Sequence, residues 1–332
     1  MTAPAAPRTD WDDPHWRAAA LDWVTEALAR TGRRVAGQVE PRLRPWSLVW
    51  RVPTDDGDVW FKANSPGTRY EAGLLAALAR LTPERVLDPI AVDAGRGWSL
   101  LPDGGATLRE VAGRDGDLIR WESVLSEYVE LQRTAAAHVE ELLALGVPDH
   151  RPELLPGLFE ELLDDRPALL LGTPDGLTAE AYDRLRGLLP AYADRCRWLA
   201  DSGIIPSIQH DDLHDGNVFV AATGHRFFDW GDASVAHPFG TLLVTLRSVA
   251  HATARDATDP ALERLRDAYL EPWTDRSDRR SLRQLADAAA WVTMVSRSLS
   301  WRRALATSDP TRAEYAAAVP GWLEELLVVE SS

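Results

Sequence analysis

The sequence predicts an α+β protein in two lobes: a small antiparallel sheet with one helix, then a larger, mainly helical lobe carrying one polar insert. Three observations predict it. Strand-like runs crowd residues 38–101, and helical apolar spacing fills nearly everything after them. The charge divides at the same place: residues 1–105 carry 13 basic and 14 acidic side chains, a net of −1, whereas residues 106–332 carry 23 and 37, a net of −14. The turn-rich run Pro102 to Gly105 stands at the join.

Residues 1–35 read as an N-terminal helical extension. Its Ala/Pro-rich first eight residues are expected to be disordered, and Asp12 to Thr31 is amphipathic, with Trp16, Leu21, Val24 and Leu28 at helical spacing. The N-terminal lobe follows over 36–101. Gln38 to Arg42, Ser47 to Pro53 and Val59 to Ala63 read as strands, the last two joined into a hairpin by the turn TDDGD. A helix over Thr68 to Leu81 and strands over Leu87 to Val92 and Trp98 to Leu101 complete this lobe, and residues 102–106 form a hinge. Over 107–332 the reading is helical at Leu118 to Leu145, Pro152 to Leu163, Ala179 to Ala200, Thr241 to Ala254, Pro260 to Glu271, Leu282 to Arg303 and Thr311 to Val329. The exception is Ile204 to Asp232, where the strand-like runs IQH, NVFV and RFFDW surround polar residues. Two such lobes enclose a cleft, the usual place for a small-molecule site.

Composition bounds the function. With 332 residues, 45% apolar and 26% charged, the chain is an ordinary globular sequence of roughly two domains. No run approaches the roughly 18 apolar residues of a membrane span, and the first residues lack the basic start and apolar stretch of a signal peptide. A cytoplasmic location with no membrane partner is expected. Cys196 is the single cysteine, which excludes an intramolecular disulfide or a multi-Cys metal site. A net charge of −15 argues against a nucleic-acid partner. Nothing in the sequence sets an oligomeric state.

The basic residues are uneven in kind. Lys62 is the only lysine, and the other 35 of the 36 basic residues are arginine. On a solvated surface the two serve about equally, so a lone lysine marks a place where a compact point charge fits and a planar fork does not.

The polar insert holds the strongest signal, HDDLHDGNVFV from His210 and then FFDWGD ending at Asp232. His210, Asp212 and Asn217 stand at the HxDxxxxN spacing of a phosphotransferase catalytic loop, and Asp229-Trp230-Gly231 begins 12 residues beyond Asn217, where a kinase has DFG. On these motifs the chain resembles the aminoglycoside phosphotransferase family and the related choline kinase-like enzymes, whose loop reads HGDLHPGN and whose metal motif begins IDW. The resemblance runs over residues 36–330. It implies a protein-kinase-like fold, ATP as donor with GTP not excluded, Mg2+, and a small-molecule hydroxyl as acceptor.

The residue types suit that chemistry, because phosphoryl transfer needs positioning and charge neutralisation more than covalent help. Asp212 can take the hydroxyl proton, Asn217 and Asp229 offer hard oxygens to Mg2+, and His210 orients the loop. An Asx-rich turn accounts for the polarity of Asp212 and Asn217 as well, but not for a second carboxylate at kinase spacing. Lys62 ends the strand VWFK where kinases keep the lysine that holds the phosphates, and Glu71, nine residues on, is its natural partner. A glutamate in a first helical turn is also favoured by the helix dipole alone. The segment Arg42 to Ser47 has no GxGxxG, so Ser47 and nearby amides are expected to meet phosphate. Leu101 and Asp103 in the hinge are expected at the nucleotide base, though the run also reads as a plain linker.

The departures from the family pattern concern the acceptor. Asp211 stands where the family has Gly and Asp215 where it has Pro, while His237 and Thr241 replace two Asp residues after the metal motif. Asp211, Asp215 and Asp232 add three carboxylates beside the site, which with the −14 lobe points to a cationic acceptor such as an aminoglycoside or amino sugar. A solvated acidic surface accounts for the same charge. The alternatives are a neutral sugar, choline-like or amino-alcohol acceptor, or a non-catalytic nucleotide-binding module. Most of the 14 tryptophans sit at core spacing, and Trp301 in SLSWRR is the one placed near a substrate.

Overall fold

The computed structural model describes residues 11–111, 118–307 and 309–330, so the expected disorder of the first eight lies outside the described residues. Helix α1 (Pro14–Arg30) starts where Asp13 accepts the His15 amide and a proline takes the first position, two features that favour a helix start. Behind it lies an antiparallel sheet of β1 (Glu40–Arg44), β2 (Ser47–Thr54), β3 (Gly57–Asn64), β4 (Ala91–Asp93) and β5 (Trp98–Pro102), in the order β1-β2-β3-β5-β4. The β1–β2 turn is only Pro45-Trp46, since Arg44 pairs with Ser47, and this carries β1 two residues beyond its expected end.

Alternation along β3 decides what faces where. Val59, Phe61 and Ala63 point to α1, where Trp16 and Trp23 pack on Phe61 and Trp98 with ring centroids 5.4 to 6.5 Å apart. Trp60 and Lys62 point the other way. Leu21, one of the four apolar residues at helical spacing, is 39% exposed, while Val24 and Leu28 are buried.

Helix α2 (Tyr70–Leu81) belongs by sequence to the sheet's lobe, but Leu74, Leu75 and Leu78 lie in one core with Trp121, Leu125 and Tyr128. The latter stand on α4 (Leu118–Ala135), which follows the short α3 (Leu108–Val111). The single helix expected over Leu118 to Leu145 is two, because residues 136–138 tighten into a 3-10 turn before α5 (Val139–Ala144). After β6 (Asp149–His150) come α6 (Leu155–Asp164) and α7 (Ala179–Ala200), the latter with the limits that its apolar spacing predicts.

The polar insert folds as β7 (Ser207–Gln209) followed by the hairpin β8 (Val218–Ala221) and β9 (Gly224–Phe227). Then β10 (Ser234–Ala236) pairs antiparallel with β7 and parallel with β6. Strands of two and three residues leave no periodic signal, so β6 and β10 are legible only in three dimensions. The remainder is α8 (Leu242–Ala252), α9 (Pro260–Leu270), α10 (Arg279–Ala304) and α11 (Ala318–Glu330). Helix α10 reaches from the large core to the small lobe, where a Cβ on Gly67 would stand 2.3 Å from the Arg303 carbonyl oxygen. Among the described residues no helix is long and apolar enough to cross a membrane.

Candidate active site

Three elements meet at the lone lysine. From the cleft face of β3, Lys62 Nζ lies 2.7 Å from Glu71 Oε2 on α2 and 2.5 Å from Asp229 Oδ1 in the loop after β9. Burial pushes the ammonium toward its neutral form, but the two carboxylates outweigh it and hold its pKa above the usual lysine range. Burial likewise pushes Asp229 up, and the Lys62 charge outweighs it, so Asp229 stays below the usual carboxylate range. For Glu71 burial wins over Lys62 and the pKa is raised. Glu71 can come this close because Gly231 has no side chain, and a Cβ there would stand 3.2 Å from Glu71 Oε2. Asp229 takes a left-handed conformation, φ 66°, which Asp tolerates better than most residues. The Tyr70 hydroxyl, 2.6 Å from the Gly231 carbonyl oxygen, ties α2 to the same turn.

The loop between β7 and β8 carries the remaining motif residues. His210 is fully buried: its amide donates to the Tyr128 hydroxyl at 2.8 Å, and its Nε2 lies 2.9 Å from the Phe228 carbonyl oxygen. Burial lowers its pKa and keeps the ring neutral, so Nε2 is the donor that ties this loop to the residue before Asp229. Asn217 Nδ2 donates to the Asp212 carbonyl at 3.0 Å, which turns its Oδ1 away from that carbonyl. The Asp212 side chain is about one-third exposed, and burial raises its pKa against the opposing Arg297 charge. His214 accepts the Gly216 amide on Nδ1 at 2.9 Å and has Nε2 3.6 Å from Asp212 Oδ2.

The hard oxygens of Asn217 and half-exposed Asp229 suit Mg2+. Among the described residues no group of three or more His, Cys, Asp or Glu could hold a metal by itself.

The three additional carboxylates are all engaged. Asp211 is 1% exposed and turned into the core, where Ser234 Oγ donates to it at 2.8 Å beside Gln209 and Ser296, so it does not face an acceptor. Its backbone is left-handed, φ 63°, a conformation that glycine adopts most readily and Asp tolerates. Asp215 is paired with Arg109 at 2.7 Å, and Asp232 with Arg297 at 3.2 Å.

Ser47 directly follows the β1–β2 turn, paired with Arg44, and is buried. Leu101 lies in β5 opposite Trp60, and the Asp103 carboxylate accepts the Gly105 amide at 3.0 Å, capping the hinge turn. Trp301 stacks on Tyr315 and takes Trp46 edge-on at 5.5 Å, an aromatic contact between the large lobe and the β1–β2 turn. The hinge also meets residues to which the sequence assigned no role: Phe219 stacks on Phe228 at 4.0 Å, and Gly104 lies so close that a Cβ would stand 2.3 Å from the Phe219 ring. His214 and Phe219 could have been found within HDDLHDGNVFV, whereas nothing local marks Arg297 or Arg109.

The sequence model of the phosphotransferase enzyme family matches residues 38–285. The chain belongs to that family. Members of the phosphotransferase enzyme family move a phosphoryl group to a hydroxyl of a small molecule, and this chain is such an enzyme. No curated protein matches its sequence. Among solved structures, a choline/ethanolamine kinase family protein from Mesorhizobium loti superposes with a TM-score of 0.60 at 17% identity, over 94% of this chain and 95% of that one. Wild-type aminoglycoside 2'-phosphotransferase-IIIa in complex with GDP gives 0.58 at 14% identity, over 94% and 99%. Amicoumacin kinase in complex with AMP-PNP, Ca2+ and Ami gives 0.56 at 12%, over 87% of each. At these identities the likeness is one of fold, the two-lobed protein-kinase-like architecture.

Proposed function

We propose that the chain transfers the γ-phosphoryl group of ATP to a hydroxyl of a small polar molecule, with Asp212 as the base. The observation that carries this reading is the meeting of the only lysine with Glu71 and Asp229 at 2.5 to 2.7 Å, beside a loop of HxDxxxxN spacing. Lys62 is placed to hold phosphate oxygens, with Glu71 keeping it in position. Asn217 and Asp229 would hold Mg2+, which when bound supplies charge neutralisation on those oxygens. Asp212 takes the acceptor hydroxyl's proton onto a carboxylate oxygen, and a pKa raised by burial makes it a better base than an exposed aspartate. His210 serves through its hold on Phe228, not as a reacting group. Leu101 and Asp103, at the end of β5 and in the hinge, would meet the nucleotide base. A cytoplasmic location, where a nucleoside triphosphate donor is at hand, goes with this reading.

A cationic acceptor, an aminoglycoside or amino sugar, is the finer reading. With Asp211, Asp215 and Asp232 engaged, it rests on the field of the −14 lobe alone. A panel of aminoglycosides, amino sugars, neutral sugars and amino alcohols, read by coupled ADP release with ATP and GTP in parallel, tests both levels. No turnover on any acceptor overturns the phosphotransferase assignment. For a cationic acceptor the KM rises between low and physiological salt, where the Debye length falls to about 8 Å. A KM flat with salt, or preference for a neutral sugar over its amino analogue, overturns the charge reading only.

A further inference from the structure

Arg297 stands on α10, 85 residues from Asp212 in sequence, with its side chain 4% exposed. Its Nη2 lies 3.4 Å from Asp212 Oδ1, and its Nη1 lies 3.2 Å from Asp232 Oδ2. The Trp322 ring lies 5.7 Å from the guanidinium carbon. Burying a guanidinium is costly unless its donors are matched, yet among the described residues Nε and Nη1 make no hydrogen bond. A cation kept for stability would be expected to saturate its fork. This one holds two carboxylates at long range, and one of them is the proposed base.

The two oxygens of Asp212 have different neighbours. Oδ1 faces Arg297 and Oδ2 lies 3.6 Å from His214 Nε2. The helix that carries Arg297 is also fixed beyond it, since Trp301 packs on Trp46 and the Arg303 carbonyl closes on Gly67. We propose that Arg297 is a positioning residue for phosphoryl transfer: by holding Oδ1 it sets the plane of the Asp212 carboxylate so that Oδ2 is the oxygen offered to the acceptor hydroxyl. Asp232 steadies the guanidinium from its other side. This inference rests on the phosphotransferase reading.

The test is a double-mutant cycle on the full chain, with ATP and the best acceptor of the panel. Arg297→Met lowers kcat by about 10²-fold, the scale of a misplacement near 1 Å, while the dissociation constant for ATP stays within about twofold. In an Asp212→Asn background the same substitution costs less than about threefold, because there is no longer a base to aim. Arg297→Lys keeps the charge but not the fork, so it lowers kcat by about tenfold at unchanged thermal midpoint, and it decides the matter if the Met variant fails to fold. Wild-type kcat in Arg297→Lys, or costs that multiply equally in both backgrounds, overturns the inference and leaves the enzyme assignment standing. Absence of turnover in the wild type overturns the assignment itself, and the inference with it.

Discussion

Lys62 and Arg297 each lie between two carboxylates in the cleft, and the two clusters differ in almost everything else. The lysine meets Glu71 and Asp229 at 2.7 and 2.5 Å, whereas the arginine stands 3.4 and 3.2 Å from Asp212 and Asp232. A compact ammonium can approach two carboxylates closely, while a fork spreads its charge over a plane and leaves donors over. The first cluster is written in motifs: Glu71 is nine residues from Lys62, and Asp229 opens DWG. The second is made by a helix near the far end of the chain. The first cluster is thus fixed by short contacts between motif residues, and the second by longer contacts from a helix remote in sequence.

The largest test removes the carboxylate that the looser cluster serves. Asp212→Asn is expected to lower kcat by about 10² to 10⁴ while ATP binding by calorimetry is nearly unchanged, and equal activity would remove the chemistry from that cluster. On the nucleotide side, Lys62→Arg should lower kcat/KM for ATP almost as far as Lys62→Met, each by about 10². Normal turnover in the Arg variant would mean that point charge and fork are interchangeable there, and the contrast between the clusters would lose its basis. A metal titration then separates the two outer carboxylates. Asp229→Asn should raise the Mg2+ concentration for half-maximal rate by about tenfold, worth about 1.4 kcal/mol, and Asp232→Asn should raise it less. Equal shifts would assign both clusters to the metal.

The smallest effect concerns pH, where neither cation titrates but their buried neighbours do. Burial lowers the pKa of His150 and of His237 to about 3, so the folded chain binds fewer protons than the unfolded one, whose histidines titrate near about 6.5. Their contribution is complete above about 6.5 and is lost as the pH falls toward 3. Asp211 acts in the opposite sense. Burial raises it to about 6, so its contribution is complete below the unfolded value of about 3.9 and is lost as the pH rises through 6. Lowered His210 acts with these histidines and raised Glu71 and Asp212 act with Asp211, so the terms oppose one another and a single histidine is best read by difference. The His237 ring accepts the Phe239 amide at 3.3 Å, a cap that Asn can replace. His237→Asn should therefore flatten the acid slope by one proton, about 1.4 kcal/mol per pH unit. An unchanged slope would show that this histidine titrates normally.

Much of the architecture is legible because helical spacing and turn residues act over a few positions. Asp13 and Pro14 start α1, and Thr178 caps α7 at the start that its apolar spacing predicts. The motif residues are legible for a related reason, since His210, Asp212 and Asn217 share one short loop whose spacing the sequence prints directly. The lone Lys62 stands out because exchange between lysine and arginine is free everywhere except where shape matters. The tertiary structure alone decided that α2 shares its core with α4, that Asp211 turns inward to Ser234, that Asp215 and Asp232 are paired with Arg109 and Arg297, and that Gly104 closes on Phe219. Each of these joins groups distant along the chain, and the field at a carboxylate depends on which charges packing brings within a few ångströms. A sequence prints the charges in order along the chain, but a carboxylate responds to those nearest in space.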